Sequence, residues 1–283
     1  MLAREIAPIV DWDDAYANSA HIPRANDYIE RWEADALAWR QAALARGGAL
    51  LDRPYGSHPR EQYDIFYPTT TSRGLVVFVH GGYWLRFDRR YWSHLAEGAV
   101  TKGYTVMMPS YRLCPDTTLA AITEQVARAM THAYKTESPD GRLPLTLAGH
   151  SAGGQIVTRL LCTDSALPAD LRQAITVVMS ISGVHDLRPL LKTALNESLN
   201  LDLPAAVNAS PALNTPDTQA HVYCVAGSDE RPEFIRQTQL LPLVWFGLGI
   251  NTSADFIDGK HHFNIIDALR DPDSSLITKL LRT

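Results

Sequence analysis

The sequence contains little cysteine, no excess of basic residues and no N-terminal apolar segment. Three cysteines, Cys114, Cys162 and Cys224, occur in 283 residues, too few for the disulfide framework of a small secreted scaffold. A net charge of -5 provides no basic surface for a nucleic-acid backbone. The first residues lack the apolar run of a signal peptide. We therefore expect a cytoplasmic protein that binds neither nucleic acid nor membranes.

The apolar residues that are present recur in short runs bounded by turn residues. Most of these runs are continuously apolar, which is typical of strands buried on both faces. Segments with helical spacing lie between them, as at residues 122–134 and 155–161. This alternation predicts an α/β protein with a mostly parallel central sheet flanked by helices. The predicted strands are residues 75–79, 104–108, 145–148, 175–179, 221–225 and 253–257.

The chain is expected to form a single domain over residues 1–283, with two segments outside the alternating pattern. Residues 1–55 are interpreted as an N-terminal helical flank, because residues 26–51 form one polar, alanine-rich helix candidate. Residues 187–214 are rich in leucine, asparagine and proline and lie between two predicted strands. We interpret them as a cap or cover segment over the cleft at the carboxyl ends of the strands, where parallel sheets bind ligands.

The stretch GHSAGG at residues 149–154 directly follows a predicted strand. A tight turn from strand to helix strains the backbone of Ser151, and Gly149 and Gly153 leave room for the close approach. Ser151 is therefore the candidate nucleophile, beside a helix N terminus that favours an oxyanion. A chance pair of glycines in an ordinary turn is the competing interpretation, and the strand before and helix after argue against it.

A serine nucleophile needs a base within hydrogen-bond reach and an acid that orients the base. In chains of this layout the acid and then the histidine follow the serine. The pair His261 and His262 closes the last predicted strand, just before Phe263. Two adjacent histidines cannot both face the cleft, so His262 is the candidate base and His261 a flanking residue.

Two neighbouring carboxylates are candidates for the orienting acid. Asp229 and Glu230 lie in the turn after the predicted strand 221–225, and either could accept the imidazole N–H. Glu230 is favoured because it is the third residue after Gly227, the usual spacing for this turn. Asp229 stays open as the alternative.

The stretch HGGYW at residues 80–84 follows the predicted strand 75–79. Lipases and esterases carry an HGGG-type loop at this position, and its glycines let the backbone approach a reacting carbonyl. A simple hairpin turn fits poorly, because the next segment is not a paired strand. The candidate oxyanion donors are the backbone N–H groups of Gly81, Gly82, Tyr83 and Ala152.

Six blocks of the sequence form a pattern that resembles a known family. They are HGGYW at 80–84, SYRLCP at 110–115, GHSAGG at 149–154, SGVHDLRPL at 182–190, PEFIRQ at 232–237 and HHFNII at 261–266. From about residue 60 to its end, the chain resembles the kynurenine formamidases (arylformamidases), which are themselves similar to hormone-sensitive-lipase-like esterases. HGGYW and SGVHDLRPL are fairly specific to the formamidase-like branch, whereas GHSAGG is shared by many hydrolases.

The resemblance implies an α/β-hydrolase fold with Ser151 as nucleophile, His262 as base and Glu230 as acid, although family members often carry aspartate at the acid position. The implied reaction removes a small acyl group from an aryl amide or ester. N-formylkynurenine, an intermediate of tryptophan catabolism, is the expected substrate. We expect no cofactor and no metal, since the chain lacks HExxH and clustered Cys/His spacing.

The expected leaving group is an aromatic amine with an amino-acid tail. Candidates for an aromatic wall are Tyr83, Trp84 and Phe263, with ordinary core packing as the competing interpretation. Candidate polar partners for the tail are Asn196, Asn200 and Arg188, with solvated surface positions as the competing interpretation.

Two other functions are consistent with the same residues. A carboxylesterase acting on small acyl or aryl esters would need the same triad and oxyanion donors. A hydrolase-like binding module without turnover is disfavoured, because all three triad residues are present. The expected partner is a small-molecule substrate, with a homodimer as an open option.

Overall fold

One eight-stranded sheet runs through residues 8–282, the part of the chain that this computed structural model describes. The start of the predicted flank, residues 1–7, and the last residue, 283, lie outside the described residues. The strands are β1 (Ala49–Pro54), β2 (Gln62–Phe66), β3 (Leu75–Val79), β4 (Thr105–Pro109), β5 (Leu145–His150), β6 (Ile175–Ile181), β7 (His221–Gly227) and β8 (Thr252–Ile257).

The strands pair in the order β1-β2-β4-β3-β5-β6-β7-β8. β2 pairs antiparallel with β1 and β4, and every other pair is parallel. The predicted mostly parallel sheet is therefore confirmed. All six predicted strands form, with boundaries that differ by at most two residues, because short apolar runs between turn residues have few alternatives once both of their faces are buried.

Helices cover the sheet on both faces. They are α1 (Trp12–Tyr16), α2 (Ala25–Ala45), α3 (Glu97–Thr101), α4 (Leu119–Glu137), α5 (Ala152–Arg159), α6 (Ala169–Ala174), α7 (Asn196–Leu199), α8 (Leu203–Ala209), α9 (Pro232–Phe246) and α10 (Ser275–Leu281). Short 3₁₀ helices lie at Asn18–His21, Arg89–Tyr91, Ser93–Ala96, Arg188–Lys192, Pro211–Leu213 and Ile265–Leu269. Among the described residues, no helix has both the length and the apolar character needed to cross a membrane.

Strand β3 illustrates how the two faces are filled. Its side chains alternate, so Leu75, Val77 and Val79 pack into one hydrophobic cluster, while Val76 and Phe78 pack into the cluster on the opposite face. Every residue of this strand is buried. A continuous apolar run at this position is therefore required by the fold, because neither face of the strand contacts water.

The helix in the N-terminal flank is shorter than predicted. Helix α2 ends at Ala45, whereas the sequence predicted a helix to Leu51. Gly47 adopts φ +69° and the Gly48 N–H donates to the Ala43 carbonyl at 2.8 Å, a glycine-terminated helix end. Residues 49–54 then form the edge strand β1, so the predicted helical flank 1–55 includes the first strand of the sheet.

Strand β2 was not predicted because it carries a charged residue in its interior. Asp64 is fully buried. Its carboxylate accepts hydrogen bonds from Arg89 Nε at 2.9 Å, from the Asp52 backbone N–H at 2.9 Å and from Arg40 Nη1. A carboxylate with these partners can be buried in a strand, although it interrupts the apolar run by which strands are recognised.

The buried cluster of Asp64, Arg40 and Arg89 also connects separate elements of the fold. Arg40 lies on α2, and Arg89 begins a 3₁₀ helix in the segment that connects β3 with β4. Arg89 donates further hydrogen bonds to Ser110 Oγ at 3.0 Å and to Gln62 Oε1 at 2.9 Å. The cluster therefore joins α2, β2 and the loop after β3.

We expect Arg89→Met to lower the free energy of unfolding by about 3–5 kcal/mol, because it leaves the Asp64 carboxylate buried with one ion-pair partner removed. Urea unfolding monitored by circular dichroism measures the change. Lys102→Met is the control, since Lys102 pairs with the exposed Asp273 at 2.8 Å and an exposed pair contributes about 1 kcal/mol or less. Equal losses in both variants would contradict the role of the cluster.

Candidate active site

Ser151 lies at a sharp turn between β5 and α5. Its backbone adopts φ 54° and ψ −116°, a strained conformation for a residue with a side chain. A Cβ at Gly149 would lie 2.2 Å from the Gly153 carbonyl oxygen, and one at Gly153 would lie 2.0 Å from the Val79 carbonyl oxygen. Both glycines are therefore needed for the strand and helix to meet this closely, as expected from the sequence.

His262 and Glu230 form a buried pair next to this turn. His262 Nδ1 donates to Glu230 Oε2 at 2.8 Å, and the carboxylate side chain is fully buried. Glu230 Oε1 accepts from the Gly227 N–H at 2.9 Å and from the Ser182 hydroxyl. Among the described residues, no lysine or arginine pairs with Glu230. Its charge therefore faces the imidazole, which it holds in the tautomer with Nδ1 protonated.

The alternatives left open by the sequence occupy different places. Asp229 is exposed, and its carboxylate accepts from the Ser228 hydroxyl at 3.0 Å. His261 Nε2 lies 3.2 Å from the Tyr28 hydroxyl, with the two rings packed edge to face. Of the two carboxylates, Glu230 is the one that contacts His262.

The Ser151 hydroxyl and the His262 ring line the same cavity. Across residues 8–282, that hydroxyl forms no hydrogen bond. Catalytic hydrogen bonds are often long in ligand-free enzymes and shorten when substrate binds. The structure thus brings the predicted nucleophile and base to one cavity with the hydroxyl free to turn toward either substrate or imidazole.

His150, the last residue of β5 and the one before Ser151, contacts His262. Its Nε2–H donates to the His262 carbonyl at 2.9 Å, and the two rings lie 4.7 Å apart. Burial, and secondly the neighbouring His262, lower the pKa of His150 well below its ordinary value. His150 is therefore neutral at physiological pH and adds no positive charge beside the candidate base.

The HGGYW loop lies against the same turn. Within the described part of the chain, the backbone N–H groups of Gly81, Gly82, Tyr83 and Ala152 have no hydrogen-bond partner. Gly82 and Tyr83 line the cavity with Ser151. Gly81 packs against the turn, since a Cβ there would lie 3.0 Å from Ser151 Cβ. These free donors are grouped where an oxyanion would form.

His80 fixes the start of this loop. Its ring stacks on Tyr111 with centroids 4.3 Å apart, and its Nδ1–H donates to the Gly81 carbonyl at 2.8 Å. The Tyr111 hydroxyl donates to the His80 carbonyl at 2.9 Å. Burial lowers the pKa of His80 to about 4, so the ring is neutral and serves as a packing element of the loop.

Two of the three predicted aromatic wall residues line the cavity, Tyr83 and Phe263. The prediction for Trp84 is wrong. Trp84 is fully buried, its indole N–H donates to Gln155 Oε1 at 3.1 Å, and it is not among the residues that line the cavity. A buried indole needs a hydrogen-bond acceptor, and Gln155 supplies one on the core side of the loop.

The predicted polar partners for an amino-acid tail are also absent from the cavity wall. Arg188 pairs with Asp186 at 2.8 Å, and Asn196 Nδ2 donates to the Leu201 carbonyl at 3.0 Å. Neither these residues nor Asn200 line the cavity. The segment 187–214 reaches the cavity through other residues, Ala194, Leu195 and Ser198.

The cavity has a volume of about 610 Å³, and its wall includes residues that no sequence motif predicted. The N-terminal elements contribute much of it, including Tyr16, Asn18, Ile29 and Trp32. Of these residues, Trp32 lies within the predicted helix 26–51, where a tryptophan is unusual among the polar residues and alanines. Ser182, which donates to Glu230, lies in the block SGVHDLRPL but was not recognised as a partner of the acid.

Comparisons with known proteins agree with this architecture. A family model described as the alpha/beta hydrolase fold matches residues 76–228, more than half of the chain. Kynurenine formamidases of Danio rerio and Drosophila melanogaster are each 29% identical, over 94% and 96% of this chain and 92% and 96% of theirs. A crystal structure from Silicibacter sp. TM1040, described provisionally as a thioesterase, is 42% identical, covers 96% of this chain and 99% of its own, and has a TM-score of 0.86. The chain therefore belongs to the α/β-hydrolase fold family.

Proposed function

We propose that this α/β hydrolase is a serine hydrolase that removes the formyl group from N-formylkynurenine, releasing formate and kynurenine. The observation that carries the proposal is the buried His262–Glu230 pair, at 2.8 Å, beside a strained serine turn that opens into a cavity. The substrate is suggested by the kynurenine formamidases that match nearly the whole chain.

In the first step, His262 Nε2 takes the proton of the Ser151 hydroxyl as its oxygen attacks the formyl carbon. Glu230 stabilises the imidazolium that forms, because its carboxylate accepts the Nδ1–H at 2.8 Å. The C–N bond then breaks, and His262 donates the proton to the departing aromatic amine. Kynurenine leaves, and Ser151 carries the formyl group as an ester.

In the second step, water attacks the formyl ester while His262 accepts one of its protons. The Ser151 oxygen leaves and takes that proton back, which releases formate and restores the free enzyme. In both steps the N–H groups of Gly82, Tyr83 and Ala152 donate to the carbonyl oxygen as it becomes negative, with Gly81 as a further candidate donor. Support for this role comes from the lack of other partners for these donors among the described residues.

A carboxylesterase or thioesterase is the second candidate, because the 42% identical structure is described provisionally as a thioesterase. Ester and thioester cleavage would use the same nucleophile, base and oxyanion donors, since all three reactions pass through a tetrahedral intermediate. The reactions differ in the leaving group, so the choice among them depends on the wall of the cavity around it.

Two expectations about the protein as a whole stay predictions. One is a homodimer, and the other is a cytoplasmic location. Side chains that an interface between two copies could cover include Leu243 and Phe246 near the end of α9, each 75% exposed. Sedimentation velocity would measure the association state directly.

We expect Glu230→Gln to lower kcat by about 10³- to 10⁴-fold, because the amide cannot hold the protonated imidazole as a carboxylate does. Asp229→Asn is the matched control, and its exposed charge should change kcat by less than about threefold, since water and salt screen it. Steady-state kinetics on one substrate compares the two variants. Equal, mild losses would mean that the orienting acid lies elsewhere.

A panel of N-formylkynurenine, p-nitrophenyl acyl esters and acyl thioesters tests the reaction class. The proposal predicts the highest kcat/KM on N-formylkynurenine and loss of at least about 10⁴-fold in Ser151→Ala with the fold retained. Ser198→Ala removes another hydroxyl from the same cavity and should keep most of the activity. Rapid ester or thioester cleavage beside negligible formamide hydrolysis would refute the formamidase proposal in favour of the second candidate.

A further inference from the structure

The cavity that Ser151 lines has one carboxylate and one guanidinium group in its wall. Of the described residues that line it, Asp13 is the only carboxylate and Arg86 the only lysine or arginine. Asp13 comes from α1 in the N-terminal flank, and Arg86 comes from the loop after β3. The rest of the wall is apolar, aromatic or neutral polar.

Arg86 is exposed and has no anionic partner among the described residues. Its backbone N–H donates to the Gly82 carbonyl at 3.0 Å, which ties it to the candidate oxyanion loop. Its guanidinium carbon lies 5.0 Å from the centroid of the Phe87 ring. Among residues 8–282 its guanidinium forms neither an ion pair nor a hydrogen bond. A guanidinium with free donors is suited to a carboxylate, which it can bind with two parallel hydrogen bonds.

Asp13 is likewise without a cation. Its Oδ1 accepts the Ala194 backbone N–H at 2.7 Å, which joins α1 to the segment 187–214. No lysine, arginine or histidine of the described chain pairs with this carboxylate. Its second oxygen therefore remains free to accept hydrogen bonds from an ammonium group.

Aromatic rings form another part of the cavity wall. Trp32, Phe87, Trp92 and Phe263 all line the cavity and pack on one another. The Trp32 and Phe263 centroids are 5.0 Å apart, and those of Trp32 and Trp92 are 4.7 Å apart. Such edge-to-face and tilted clusters bind an aryl ring well.

We propose that Arg86 and Asp13 bind the zwitterionic α-amino-acid group of an aryl substrate, Arg86 its carboxylate and Asp13 its ammonium group, while the ring lies against the aromatic cluster. This inference rests on the proposed function. It assigns recognition of the leaving group to the N-terminal flank and the loop after β3, and not to Arg188, Asn196 or Asn200.

A pair of substrates isolates this contact. N-formylkynurenine and ortho-formamidoacetophenone share the aryl formamide and the ketone, and only the first carries the amino-acid group. The measured quantity is the ratio of their kcat/KM values. We expect Arg86→Met to lower this ratio by about 10- to 100-fold, because a hydrogen-bonded charge pair is lost. Asp13→Asn should lower it by about fivefold, since Asn keeps the acceptor for Ala194 and removes only the charge.

Matched controls separate this effect from a general loss of charge. Arg46 also stacks on an aromatic ring, with its guanidinium carbon 4.9 Å from the Trp39 centroid, and lies outside the cavity. Asp202 also accepts a backbone N–H, that of Ala205 at 2.8 Å, and lies outside the cavity. Arg46→Met and Asp202→Asn should leave the ratio within about twofold of wild type. An unchanged ratio in Arg86→Met would overturn the inference.

Product inhibition tests the same contact without formamide turnover. Kynurenine should inhibit p-nitrophenyl acetate hydrolysis more strongly than ortho-aminoacetophenone does, and Arg86→Met should raise the Ki of kynurenine by about 10-fold. If wild type cleaves neither formamide but this inhibition depends on Arg86, the proposed function fails and the inference holds. If both formamides are cleaved and neither the ratio nor the Ki changes in Arg86→Met, the inference fails and the proposed function holds.

Discussion

The buried carboxylate of Glu230 is the constraint on which the candidate site depends. It accepts hydrogen bonds from Ser182 after β6, from Gly227 at the end of β7 and from His262 after β8. One side chain thus connects the carboxyl ends of three neighbouring parallel strands. Burying a charge costs several kcal/mol unless hydrogen bonds compensate it. The three donors compensate the charge of Glu230. One of them is the imidazole of His262, so the same hydrogen bond also fixes the orientation of that ring.

The parts of the site that the sequence predicted are those that local chain geometry determines. The turn at Ser151 depends on glycines within two residues and on the strand before it, and HGGYW depends on the strand that ends at Val79. The preference for Glu230 over Asp229 came from its spacing within a single turn. These features need only a few consecutive residues, so a sequence pattern is sufficient to identify them.

The parts that were missed depend on contacts between distant segments. Strand β2 carries Asp64, whose burial is possible only because Arg40 and Arg89 reach it from elsewhere in the chain. Trp84 was expected in the cavity wall, but Gln155, on helix α5, accepts the indole N–H and holds the ring in the core. The cavity wall formed by the N-terminal elements could not be predicted either, because no local pattern shows where a flanking helix packs.

Part of the cavity wall and the candidate catalytic residues come from different parts of the chain. The serine turn, the imidazole and the carboxylate all belong to residues 150 to 262, whereas Tyr16, Asn18 and Trp32 come from the first forty residues. Substitutions in the first forty residues can therefore change the shape of the cavity, while the candidate catalytic residues, from the HGGYW loop at 80–84 to His262, stay the same.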